Sequence, residues 1–385
     1  MKIYLPILFL YFLAVSTSKI FPWKIIETSN ADPIEKYGMH GQVYGPQSKI
    51  WLFGGVPENR SLVSSPDFWT GFAGANNVLR TFDPVSKVFA IINSTGPIPP
   101  ARGFFDMVKG IPSTGSENIL FLFGGQGLNP TENDSKDLGD LWSFNTSSLT
   151  WQNLTGIVTG TLPSKRTGPA MITANGKIYI YGGVQNYGLF LSDFYSFDPL
   201  TNVITQINPV GPVPGSRSIT NIAKHNNFIY ITNGCCDTNS ETGGYYQDMW
   251  RYDIMNNVWS QIQPKGKVYS TTYAGSVENG DWWLFQGGDQ GGCLTDLPLL
   301  ETSLFNFVTN TWYRNIVPRY ASGPLIKNAK LSLVYPHKEV YQMGGYSSNR
   351  SDDAWCLQSD QEYKGLVYKY NFINLWSIIA GIINS

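Results

Sequence analysis

Six times along this chain a four-residue apolar run ends in a glycine pair or its near equivalent: IWLFGG at 50–55, LFLFGG at 120–125, IYIYGG at 178–183, IYITNG at 229–234, WLFQGG at 283–288 and VYQMGG at 340–345. A period repeated this often constrains the fold more than any composition, because each unit must be a similar piece of supersecondary structure stacked on its neighbours. The downstream half of each unit repeats as well. An aromatic followed by Asp or Asn precedes a large apolar residue at fixed spacing: Phe82-Asp83 to Phe89, Phe144-Asn145 to Trp151, Phe197-Asp198 to Ile204, Tyr252-Asp253 to Trp259 and Phe305-Asn306 to Trp312. Each interval is seven residues, whereas Tyr370-Asn371 to Trp376 is six. A short polar segment between two β-rich runs predicts a hairpin turn.

Between units stands a proline followed by arginine: Pro100 to Arg102, Pro163 to Arg166, Pro214 to Arg217, and Pro318-Arg319. An apolar run after it supplies a fourth strand. Four short strands per unit predict an all-β propeller of six four-stranded antiparallel blades, with seven blades as the alternative. The pattern resembles the kelch repeat family over nearly everything after residue 20. Local departures are Asn233 for a first glycine, a fifth unit without the Pro-x-x-Arg element, and the shortened sixth hairpin.

The N-terminus predicts a secretory signal over 1–18: Lys2, an apolar stretch from Ile3 to Val15, then small residues. Residues 19–385 then form one propeller. Both this stretch and Leu375 to Ile383 fall short of the ~20 residues that span a bilayer, so no stable membrane anchor is expected. A formal net charge of -1 gives no footprint for nucleic acid. Six Asn-x-Ser/Thr sequons, at Asn59, Asn93, Asn133, Asn145, Asn153 and Asn349, become glycosylation candidates in a secreted or lumenal monomer.

The four cysteines, Cys235, Cys236, Cys293 and Cys356, all follow glycine pairs. With strands a to d running antiparallel, the b-to-c and d-to-a connections emerge on one face. Disulfides there would clip neighbouring loops, with Cys235 and Cys236 each reaching Cys293 or Cys356 in a pairing the sequence leaves open. The same face receives Arg102, Arg166, Arg217 and Arg319. They admit two readings: donors for a carboxylate or acidic peptide, as in some kelch propellers, or braces between neighbouring loops. Glycans on Asn59, Asn133, Asn349 and Asn93 would leave open the sector of Tyr187, Tyr245 and Tyr246 near Arg217.

Catalytic signatures are weak. The copper oxidases of this fold imply a two-histidine, tyrosine and cysteine site that His40, His225 and His337 do not form, and the iron site of plant specifier proteins has no counterpart. Asp140, Asp193 and Asp248 repeat before the third strand, which points to turn capping. The expectation is a non-catalytic scaffold, without cofactor or metal, for an extracellular protein or glycan, acidic partners included. The alternative is a sugar- or small-molecule-acting enzyme using the arginines with Asp67, Asp352 or Asp353.

Overall fold

A computed structural model describes residues 23–29, 37–38, 40–57, 75–110, 115, 118–129, 134–186, 188–235, 245–268, 271, 274–288, 301–314, 330–335, 339–344 and 367–371. They form six four-stranded antiparallel sheets and two short two-stranded ones. The innermost strands a are Gly41–Tyr44, Asp106–Lys109, Ala170–Ala174, Asn221–His225, Gly275–Asn279 and Lys330–Val334, heading blades one to six. Each packs against the next, and the sixth against the first, so the ring is closed. No helix among the described residues is long and apolar enough to cross a membrane.

Strands b, which carry the apolar runs, are Ile50–Phe53, Ile119–Phe123, Lys177–Gln185, Phe228–Thr232, Trp282–Gln286 and Glu339–Met343. Buried on both faces, they need no polar alternation. Their side chains fill the seams between blades. Trp51 and Phe53 of blade one meet Phe105, Met107, Leu122 and Trp151 of blade two in one cluster. Trp259 and Tyr252 of blade four likewise enclose Tyr181 and Phe194 of blade three. Each large buried side chain of this kind contributes roughly 1.5–3 kcal/mol of transfer free energy.

Strands c are Leu79–Asp83, Leu141–Asn145, Leu189–Asp198, Met249–Asp253, Thr302–Asn306 and Val367–Asn371. Five blades complete themselves with strand d at Val88–Ile91, Thr150–Asn153, Val203–Ile207, Val258–Gln261 and Thr311–Tyr313. The sixth takes its outer strand from the other end of the chain: Trp23–Ile26 pairs antiparallel with the last strand, Trp23 opposite Tyr370. In sequence, the segment around Trp23 (Trp-Lys-Ile-Ile) and that around Trp376 both resemble a fourth strand, two candidates for this position. Pairing of the termini resolves it in favour of Trp23, and Trp376 lies outside the described residues.

The seven-residue interval has a local cause. The Asp or Asn closing strand c accepts backbone N–H bonds two and three residues on, as from Val85 and Ser86 to Asp83 and from Met255 and Asn256 to Asp253. The residue four after it adopts left-handed φ: Lys87 61°, Leu149 57°, Asn202 55°, Asn257 54° and Asn310 52°. The glycine pairs are also conformational. First glycines sit near the left-handed helical region (Gly54 66°, Gly182 61°), which Asn233 also reaches at 63°. Second glycines lie beyond it (Gly55 105°, Gly183 109°), and there unit four keeps Gly234.

Candidate functional site

Three of the four candidate arginines are fully buried at the corner where the d-to-a connection meets the b-to-c loop. Each stands four residues before its strand a and grips the aspartate one residue before the paired stretch of strand c. Arg102 donates to both oxygens of Asp140 at 2.7 and 2.6 Å, Arg166 to Asp193 at 2.5 and 2.8 Å, and Arg217 to Asp248 at 2.6 and 2.8 Å. Nη1 of each also donates to the carbonyl of the first residue of the glycine pair, Gly124, Gly182 or Asn233.

The arginine backbone extends the brace to the preceding blade. The carbonyls of Arg102, Arg166 and Arg217 accept from the second glycines Gly55, Gly125 and Gly183, each at 2.9 Å. One residue later, Gly103, Thr167 and Ser218 exchange paired backbone bonds with Gln126, Val184 and Cys235 of their own blade. This is the loop-bracing geometry, with each guanidinium committed to internal acceptors. Burial pushes the Asp140 carboxyl up, but Arg102's hydrogen bond and charge outweigh it and hold the carboxyl below its ordinary value.

Blade five departs in an ordered way. Thr271 occupies the arginine position, its carbonyl accepting from Gly234 at 3.3 Å. Glu301 occupies the aspartate position and is bound instead by Arg314, which follows the blade's outer strand, at 2.6 and 2.5 Å. Arg319 lies outside the described residues.

Tyr246 is a cover for Arg217. The guanidinium carbon lies 3.6 Å from the ring centroid, and the Tyr246 hydroxyl donates to the Ser216 carbonyl at 2.9 Å. Tyr245 is half-buried and bridges Cys235, which is itself buried. Tyr187 lies outside the described residues, as do Cys236, Cys293, Cys356, Asn59, Asn133, Asn349, Asp67, Asp352, Asp353 and His337. The middle strands of blade three run on past the glycine pair as a hairpin, to Gln185 and Leu189. Leu189 there is 57% exposed.

A neighbouring hairpin, Gln126–Asn129 with Asp134–Asp137, rises from blade two. Asp137 joins the two: one carboxylate oxygen accepts from Thr167 Oγ1 at 2.7 Å and the other from the Asn186 amide at 2.6 Å. Sequence reasoning missed this residue, which belongs to no repeat. Among the remaining sequons, Asn93 and Asn153 are exposed, while Asn145 caps the opposite-face turn through Ser147 and Ser148. His40 is buried against Gln42, and His225 meets Asp281 across the seam between blades four and five at 2.9 Å. No group of three or more metal-ligating side chains occurs among the described residues.

Over residues 68–277 the chain matches the KLHDC2/KLHL20/DRC7 Kelch-repeats domain. It is similar to Kelch domain-containing protein 3 of Homo sapiens, 26% identical over 204 residues, which cover 50% of this chain and 49% of that protein. Kelch domain-containing protein 10 of Rattus norvegicus is 30% identical over 151 residues, 38% of this chain and 35% of the relative. N-(sulfonatooxy)prop-2-enimidothioate sulfolyase of Thlaspi arvense is 28% identical over 175 residues, 44% and 48% of the two chains. The chain thus spans about half the length, or less, of these curated relatives.

Proposed function

The chain belongs to the kelch-repeat family, and from that premise we propose that it is a secreted, non-catalytic interaction scaffold that engages an extracellular protein or glycan through its b-to-c loop face. One observation carries this reading: identical arginine–aspartate braces fix the loop bases of blades two to four, while the loops they support differ in length and form. A rigid frame carrying variable loops is how binding surfaces are commonly built. Because the buried arginines are committed to the frame, recognition falls to the raised hairpins. The exposed tip around Leu189 and the sector of Tyr187 and Tyr245 is the proposed contact area.

Secretion is supported by the apolar segment that precedes residue 19 and by the exposure of Asn93 and Asn153, whose sequons are open to glycan transfer. Cys235, buried at the base of the blade-four loop and disulfide-bonded, supports the loop-staple role assigned to the cysteines. A second reading, an enzyme acting on a small substrate, draws on the relative named as a sulfolyase.

The test is capture by the immobilised folded chain from extracellular fluid, comparing Leu189→Asp on the hairpin with Val85→Asp, whose parent residue is 79% exposed on the opposite face. The expected result is capture lost in the first variant, kept in the second, with both melting temperatures unchanged. Equal capture by both variants overturns the assignment of the face. Turnover in a carbohydrate and small-molecule screen would favour the enzyme instead.

A further inference from the structure

The innermost strands enclose a chamber of about 800 Å³, inside the roughly 300–1,000 Å³ range of small-molecule sites. At its loop-face end Lys330 of blade six reaches Asp106 of blade two at 3.2 Å, a bar that passes blade one where its first strand begins with Gly41. Asp106 is further fixed by the amides of Met107 and Met171 at 3.0 and 2.8 Å. The chamber therefore has a polar barrier on the loop side, and its other mouth lies among the a-to-b turns.

Two lysines stand out in that lower half. Lys109 and Lys224, each the fourth residue of its inner strand, line the chamber from blades two and four. Neither forms an ion pair among the described residues. Of the carboxylates lining the chamber, Asp106 is held by Lys330 and Asp281 by His225. Glu278 lies in the same lining, where burial pushes its carboxyl up and the Lys224 charge only partly opposes this.

The remaining polar lining suits hydroxyl groups. Strand a is an edge in every sheet, so its inner backbone groups face the chamber; some are already taken, the Met171 N–H by Asp106 and the Lys109 carbonyl by Thr173 Oγ1. We propose that this chamber is a second binding site, separate from the loop face, for a small hydroxylated anion: a monosaccharide bearing one carboxylate or phosphate. Lys109 and Lys224 hold the anionic group, and the free backbone groups of the inner edges bond the hydroxyls.

Isothermal titration of the full chain with glucuronate, glucose 6-phosphate and uncharged glucose tests this. Saturable binding of at least one anion is expected, none by glucose at the same concentration, and at least tenfold weaker binding in both Lys109→Gln and Lys224→Gln. The two anions separate the carboxylate from the phosphate form of the ligand. Leu189→Asp should bind the sugar anion normally, which keeps failure here distinct from failure of the loop-face reading. Absence of saturable binding by either anion, equal binding of glucose, or unchanged affinity in both lysine variants of native melting temperature overturns the proposal.

Discussion

Glu301 binds Arg314 with both carboxylate oxygens, although the arginine that braces the corresponding acid in blades two to four has been replaced by Thr271. The acid has kept its place and found a cation from a different segment of the same blade. The pair is asymmetric, with side-chain exposures of 7% for Glu301 and 21% for Arg314. Removing the arginine strands a buried carboxylate, whereas neutralising the acid leaves a guanidinium that can turn to water. Arg314→Ala should therefore cost about 3 kcal/mol in urea unfolding, with Glu301→Gln costing less. Arg314→Lys should recover little, since an ammonium cannot match both oxygens.

The braces of blades two to four make a stronger statement. Arg217→Ala should lower stability by about 3–5 kcal/mol, because Asp248 and the Asn233 carbonyl lose their donor inside the fold. Tyr246 loses the cation beneath its ring as well. Equilibrium unfolding of Arg102→Ala, Arg166→Ala and Arg217→Ala should give losses of similar size. An unchanged melting temperature in all three would refute the bracing role.

Acid sensitivity follows from Asp140, the brace carboxylate held below its ordinary value by Arg102 despite its burial. A folded-state value below the unfolded one means that its stabilisation is present above the unfolded value of about 4 and is lost as pH falls through the folded value. Asp140→Asn should thus be less stable than the parent at about pH 6, with the difference shrinking toward about pH 3. Urea midpoints across that range measure it.

The outer hairpins offer a stabilising change. Lys87 is exposed and held at φ 61°, where the equivalent positions of blades three, four and five carry Asn202, Asn257 and Asn310. Asparagine tolerates this region better than lysine. In blades four and five its side-chain amide also donates to the passing connector, at the carbonyls of Asn208 and Gln263, both 3.0 Å. Lys87→Asn should gain roughly 0.5–1 kcal/mol, seen as a higher thermal midpoint.

The repeat itself was legible because it is local. Glycine pairs and the seven-residue hairpins are set by φ angles and by Asx bonds two or three residues long, so their signals lie within one window of sequence. Arginines and aspartates also repeat visibly, but their pairing does not: Arg102 and Asp140 are 38 residues apart, Arg166 and Asp193 27, Arg217 and Asp248 31. The spacing varies with the loop between strands b and c. Counting from strand starts would have shown the register. Asp137 offers no such handle, since it belongs to no repeat and acquires meaning only through Thr167 and Asn186, 30 and 49 residues along the chain.

Closure by the N-terminal strand yields the last expectation. Trp23 is 8% exposed, and its indole donates to Thr302 Oγ1 at 3.3 Å, so this strand joins blade six to blade five as well as to its own sheet. Ser29 continues the contact to blade one, bonding Lys87 and Phe89 through the backbone. Removing residues through Ile26 would expose the edge of Val367–Asn371 and withdraw apolar cover from the seam lined by Ile50, Phe82 and Tyr341, where Ile26 packs. Such an edge invites pairing with other chains. The truncated protein should melt at a lower temperature and self-associate in light scattering, and adding a peptide of residues 19–29 in trans should partly reverse both.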